Sequence, residues 1–158
     1  MIYLASPYNH ADPAVREERY LSACRAAAKL MANELNVFSP IAHSHPIAVH
    51  GGLDAVDHDF WMRRDLPILR RCNAIMVLCL DGWEQSRGIR CELEEADRIH
   101  ERLHKQGGLF PILYVTETVK QAKKWSFTIC LDECIEILIA AFIAFYPILQ
   151  PIKKETSK

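Results

Sequence analysis

Asn73-Ala74-Ile75-Met76-Val77-Leu78-Cys79-Leu80 is a continuous apolar run behind one polar residue, with the length of a strand rather than of a helix. A strand apolar at both alternating positions belongs in a sheet covered on both faces, which is the habit of parallel sheets. Downstream, Asp81-Gly82-Trp83-Glu84-Gln85 reads as a loop, and Ser86 to Lys105 as a long helix stopped by Gly107-Gly108. Leu109–Val115 supplies another buried strand. Upstream, Asp57 to Cys72 has a helical pattern in which Pro67 predicts a kink or a restart. Pro40 to Asp57, rich in histidine, proline and glycine and without a clean period, reads as a loop of the length that tends to carry function. Before it, Asn36–Ser39 reads as a second strand. Pro13 to Leu35 reads as an amphipathic helix with Leu21, Cys24, Ala28, Met31 and Leu35 on one face. Asp12 stands as its cap and Pro13 at its first position, where the ring needs no amide partner. Ile2–Ala5 completes the series as a short buried strand, left through the turn Ser6–His10.

Strands alternating with helices predict an α/β fold: a Rossmann-like open parallel sheet of about four to five strands flanked by helices. Such sheets bind small molecules beyond the carboxyl ends of their strands, where strand order reverses. That rule selects Ser6–His10, the loop after Phe38, and Asp81–Glu92. After Thr116 the alternation stops, so residues 1–115 read as one domain and 116–158 as a hydrophobic extension. Its apolar stretch Ile137–Leu149, broken by Pro147, falls short of the ~18–20 residues of a membrane span, and a docked helix is expected.

Length and charge restrict the function classes. The 158 residues carry 19 Lys plus Arg against 20 Asp plus Glu, so the basic excess expected of a nucleic-acid polymer binder is missing. A 50 % hydrophobic content excludes a disordered chain. The six cysteines form no C-x-x-C pair and read as reduced thiols. The first residues lack the basic and long apolar regions of a secretory signal, so a cytoplasmic location is expected.

Neither G-x-G-x-x-G nor G-x-x-x-x-G-K-[ST] occurs, so a ligand in this sheet must be held by other means. Ser86-Arg87-Gly88-Ile89-Arg90-Cys91-Glu92 follows the best strand and opens a helix. Ser86 can offer its hydroxyl, and Gly88 can admit a ligand to free amides that favour anions. Glu92 lies one turn in, beside the apolar stripe of Ile89, Leu93 and Ala96, where it can face a cleft or remain an ordinary surface acid. His43-x-His45 sits in an irregular segment without the helix-fixed spacing of strong zinc motifs, so no metal is expected; either histidine can instead contact a base or phosphate. Trp83 can stack on a nucleobase or fill the hydrophobic layer.

Ile2-Tyr3-Leu4-Ala5-Ser6-Pro7-Tyr8, then Asp65-Leu66 ahead of Asn73–Leu78, then Ser86-x-Gly88-x-x-x-Glu92-Leu93-x-x-Ala96 together resemble the nucleoside 2-deoxyribosyltransferase superfamily over residues 1–115. Pro7–Asp12, Ser44-His45-Pro46-Ile47 and Gly82-Trp83 are similar to a small uncharacterised bacterial branch of it, a domain of unknown function. The resemblance implies that Glu92 is a nucleophile attacking the anomeric carbon of a nucleoside or nucleotide. It implies that Asp65 orients the sugar or handles the leaving base's proton, and that Tyr3 hydrogen-bonds beside the nucleophile. The logic is that of retaining glycosidases, where a carboxylate splits one hard step into two. Ser6 and Tyr8 fall in the matching first segment and are expected to contact substrate. Serine at position 86, where relatives acting on free nucleosides tend to have aspartate, implies a 5′-monophosphate, with Arg87 or Arg90 nearby as seat or as solvated helix charge. No cofactor is implied. Residues after Thr116 depart from the superfamily's ending, where a neighbouring subunit often completes the pocket; a homo-oligomer is expected. A catalytically silent nucleotide-binding module, and an assembly protein using the helix at Ile135–Tyr146, are the alternative readings.

Overall fold

The computed structural model describes residues 1–118 and 129–131. Five parallel strands form one sheet in the order β2-β1-β3-β4-β5, with β1 at Ile2–Ala5, β2 at Val37–Phe38, β3 at Ala74–Leu78, β4 at Ile112–Thr116 and β5 at Ile129–Cys130. Four helices flank it: α1 (Pro13–Ala32), α2 (Pro40–Gly51), α3 (His58–Leu69) and α4 (Arg87–His104). The α/β architecture expected from the apolar runs is the one observed.

Side-chain alternation divides the core into two layers. Ile2 and Leu4 of β1 and Ala74, Met76 and Leu78 of β3 pack on α1, whereas Tyr3, Ala5, Ile75 and Val77 pack against α3 and α4. Each fully buried Leu, Ile or Val contributes roughly 1.5–3 kcal/mol by leaving water, so the paired central strands anchor the fold. The chain enters β1 in the middle of the sheet, crosses one way to β2, then returns past β1 to β3. Strand order therefore reverses between β1 and β3, whose carboxyl ends lie side by side with Ala5 opposite Val77.

Three sequence expectations are corrected, and of the two alternatives at Pro67 one is excluded. The buried face of α1 is Ser22, Ala23, Ala26, Ala27 and Leu30, not the Leu21–Met31 stripe; Met31 is 53 % exposed. Three of those five are alanines, whose weak individual hydrophobicity hid them beside leucine and methionine. The segment after Pro40 is not a loop but α2, capped by Ser39, whose Oγ accepts from Ala42 N at 3.3 Å. It continues through Pro46, which lacks a donor for one turn, and ends at Gly52 with φ +66°. Pro67 likewise lies inside α3, and Arg70 N still donates to Leu66 O at 3.0 Å, so no restart occurs. Past Thr116 the sheet gains β5, whose two residues pair in parallel with Val115 and Thr116. The helix expected over Ile137–Leu149 lies outside the described residues. Among the described residues, no helix is long and apolar enough to cross a membrane.

Candidate active site

Because β1 and β3 send their connections to opposite sides, a cavity of about 490 Å³ opens above their carboxyl ends. That is within the ~300–1,000 Å³ of small-molecule sites. One wall is the segment leaving β1, with Ser6, Tyr8 and Asn9; another is α2, with Ile41 and Ser44. A third is α3 and the residues before it, among them Val56, His58, Trp61 and Asp65. The last runs from Gly82 through Ser86, Arg87 and Gly88 to Glu92.

Glu92 is 4 % exposed and accepts a hydrogen bond from the Tyr3 hydroxyl at Oε1, 2.6 Å away. The pair is fixed by the fold: Tyr3 points from β1 into the α3/α4 layer, and a little over one and a half helical turns beyond the Ser86 cap Glu92 comes round to meet it. Burial pushes the Glu92 carboxyl up to about 7, the Tyr3 hydrogen bond pulls it down, and the neighbouring Asp65 charge raises it. Asp65, 6 % exposed on α3, is pushed up to about 6 by burial against a lowering pull from Arg64. Tyr3 itself is driven well above the ordinary phenol range, by burial first and then by Glu92 and Asp65, so it remains a donor. Two buried carboxyls that titrate near neutrality beside one cavity are the arrangement in which one can be ionised while the other holds a proton.

Ser86 caps α4, its Oγ accepting from Ile89 N at 3.4 Å. A Cβ at Gly88 would meet only Ser86 Oγ, at 3.8 Å, so the fold does not require glycine there. Arg87 lies over the cavity lip and pairs loosely with Asp59 at 3.4 Å, both side chains mostly in solvent. Ser6 Oγ, by contrast, is buried in the cavity wall without a hydrogen-bond partner, a cost that a bound polar group would remove.

The structure thus brings Glu92, Asp65, Ser6, Tyr8, Ser86, Arg87 and Gly88 to one cavity, with Tyr3 behind Glu92. Three expected contacts are corrected. His43 is exposed on α2 and tilts against Phe38. His45 is buried behind Tyr8, not in the wall. Trp83 packs in the core against Tyr114, ring centroids 5.4 Å apart. Arg90 is also outside the wall. Among the described residues, no group of three or more His, Cys, Asp or Glu is placed to hold a metal ion.

Sequence reasoning missed Arg19, and weighed His58 only beside the other histidines as a loose metal-ligand candidate. Arg19 Nη1 donates to Asn9 O at 2.8 Å and Nη2 to Asp81 O at 2.7 Å, tying the loops after β1 and β3 together beside the cavity. Within α1 it reads as one more solvated helix charge. His58, 3.8 Å from the Cys91 thiol, has its imidazole lowered by burial and by Arg87. Its only sequence signal was its place in Asp57-His58-Asp59 at a helix start.

A family model described as "Domain of unknown function (DUF1937)" matches residues 1–106, which include every wall of the cavity. No curated protein matches the chain.

Proposed function

The chain belongs to the DUF1937 family, a domain of unknown function, and we propose that it cleaves the N-glycosidic bond of a nucleoside 5′-monophosphate or nucleoside through Glu92 as nucleophile. The observation that carries this reading is the buried carboxyl pair, Glu92 and Asp65, at one cavity, with Tyr3 donating to Glu92 at 2.6 Å. The resemblance of the three motif segments to the nucleoside 2-deoxyribosyltransferase superfamily supports the same assignment.

In the first step an ionised Glu92 oxygen bonds to the anomeric carbon as the carbon–nitrogen bond breaks, its electron pair leaving with the base. Asp65, protonated, gives its proton to that base. In the second step water, or a second base, attacks the same carbon and releases Glu92; a proton from the attacking group returns to Asp65. With carboxyl values of about 7 and about 6, the pair holds about one proton slightly below neutral pH. These values put that proton mainly on Glu92, so the productive form, with the proton on Asp65, is the minor one, and the Tyr3 hydrogen bond raises its share by stabilising the Glu92 carboxylate. Ser86, Gly88 and Arg87 at the α4 start suit the 5′ end, where amides and a guanidinium favour a phosphate.

The test is incubation with nucleosides and nucleoside 5′-monophosphates, ribo and deoxy, with released base separated by chromatography beside Glu92→Gln. Base release that depends on Glu92 is the expected result. Binding without release in both proteins would replace the enzyme by a silent nucleotide-binding module.

A further inference from the structure

Behind the cavity wall three side chains from three elements stand in line. The Tyr8 hydroxyl lies 2.8 Å from His45 Nδ1, and His45 Nε2 lies 3.1 Å from Glu17 Oε2. Tyr8 lines the cavity, His45 on α2 is buried, and Glu17 on α1 reaches solvent with its side chain 53 % exposed. The imidazole is held by more than its two bonds. It stacks on the Tyr20 ring at 4.1 Å and 15°, and meets the Tyr8 ring edge-on at 5.7 Å. Turning the ring would break the stack and both polar contacts together.

The donor directions in this chain follow from what each end can offer. A carboxylate only accepts, so the nitrogen facing Glu17 must carry a hydrogen. In a neutral ring the other nitrogen, Nδ1, is then the acceptor, and the Tyr8 hydroxyl must spend its only hydrogen on it. Burial holds the Tyr8 phenol above its ordinary range, against an opposing pull from Arg16, so that hydrogen is present at neutral pH. What remains for the cavity is the phenolic oxygen as an acceptor, through the lone pair that the neighbouring Arg16 guanidinium does not engage.

We propose that Glu17 and His45 are a positioning pair that turns the Tyr8 hydroxyl into an obligate hydrogen-bond acceptor, so that the cavity selects a ligand placing a hydroxyl or amino donor at Tyr8. Applied to the nucleotide reading above, on which this part rests, that donor is either a sugar hydroxyl or the exocyclic amine of the base. His45 therefore acts on the ligand through Tyr8 and does not touch it.

The ring proton is tested without any substrate. In ¹H–¹⁵N spectra of the uniformly labelled chain, with His45 assigned by comparison with His45→Phe, hydrogen on Nε2 and a bare Nδ1 are expected. Glu17→Lys, at a half-exposed site, removes the acceptor and leaves only donors against Nε2, and is expected to move hydrogen to Nδ1. A wild-type ring with hydrogen on Nδ1, alone or with Nε2, overturns the proposal. The consequence is read in base release from nucleoside 5′-monophosphates. Tyr8→Phe is expected to raise KM about five- to tenfold, the worth of one neutral hydrogen bond, with kcat little changed. That penalty should vanish with a 3′-deoxyribose analogue if the donor is that hydroxyl, or with a purine lacking its amine if it is the base. A Tyr8→Phe KM equal to wild type, or a penalty the same with every analogue, overturns the selection. Absence of base release from any nucleotide by the wild type would instead overturn the nucleotide reading, and the proposal then stands or falls on the ring proton.

Discussion

Glu92, Asp65 and Tyr3 form one electrostatic unit, and a change in any of them must register in the others. Tyr3→Phe removes the hydrogen bond that lowers the Glu92 carboxyl, leaving burial and the Asp65 charge to raise it further above about 7. The expected outcome is a lower kcat/KM whose pH profile moves toward higher pH; an unmoved profile would separate Tyr3 from the nucleophile. Asp65→Asn takes away the proton donor and is expected to cost ~10²–10⁴ in kcat, measured as initial rates of base release, with the alkaline limb lost because no acid remains to titrate. At this scale the sequence was informative only where motif order supplied it. A glutamate one turn into a helix is an ordinary surface residue on spacing alone, and burial of its side chain depends on the Tyr3 partner, 89 positions away. His45 was legible as a polar residue near the site but not as one standing behind Tyr8, since a histidine in a stretch without a period carries no direction.

Among the strands, those the sequence revealed most plainly were the ones whose burial is continuous. β3 is buried at every position and β1 likewise, so their apolar runs needed no period to be read. α2 escaped because its histidines, Pro46 and outward Ile47 and Val49 break any amphipathic pattern. Yet Ser39-Pro40 repeats the cap-then-proline signature of Asp12-Pro13, which correctly opened α1, and it was the available clue. The link from β3 to α4 depends on Gly82, at φ +87°, where an added Cβ would come within 2.9 Å of Arg19 Nη2. Gly82→Ala is therefore expected to lose about 1–3 kcal/mol from backbone strain, seen as a lower denaturant midpoint. It should also raise KM, because the displaced guanidinium is the tie between the two loops.

For the molecule as a whole, the switch between β1 and β3 places the cavity, and the buried carboxyls make the site a source of pH-dependent instability. The Glu92 carboxyl rises from an ordinary 4.5 to about 7 on folding, so its contribution is fully present below about 4.5 and lost as pH rises through about 7. Glu92→Gln does not titrate. It is expected to gain on the order of 3 kcal/mol over the wild type between pH 4 and pH 8, by chemical denaturation at the two pH values. The sheet order was foreseeable only as a class, because a two-residue strand such as β5 is too short to leave a pattern. The most direct measurement is peptide mass spectrometry of the wild type quenched in acid during turnover of a nucleoside 5′-monophosphate. A pentose 5-phosphate ester on Glu92 is the predicted result; base release with Glu92 unmodified, continuing undiminished in Glu92→Gln, would contradict the account.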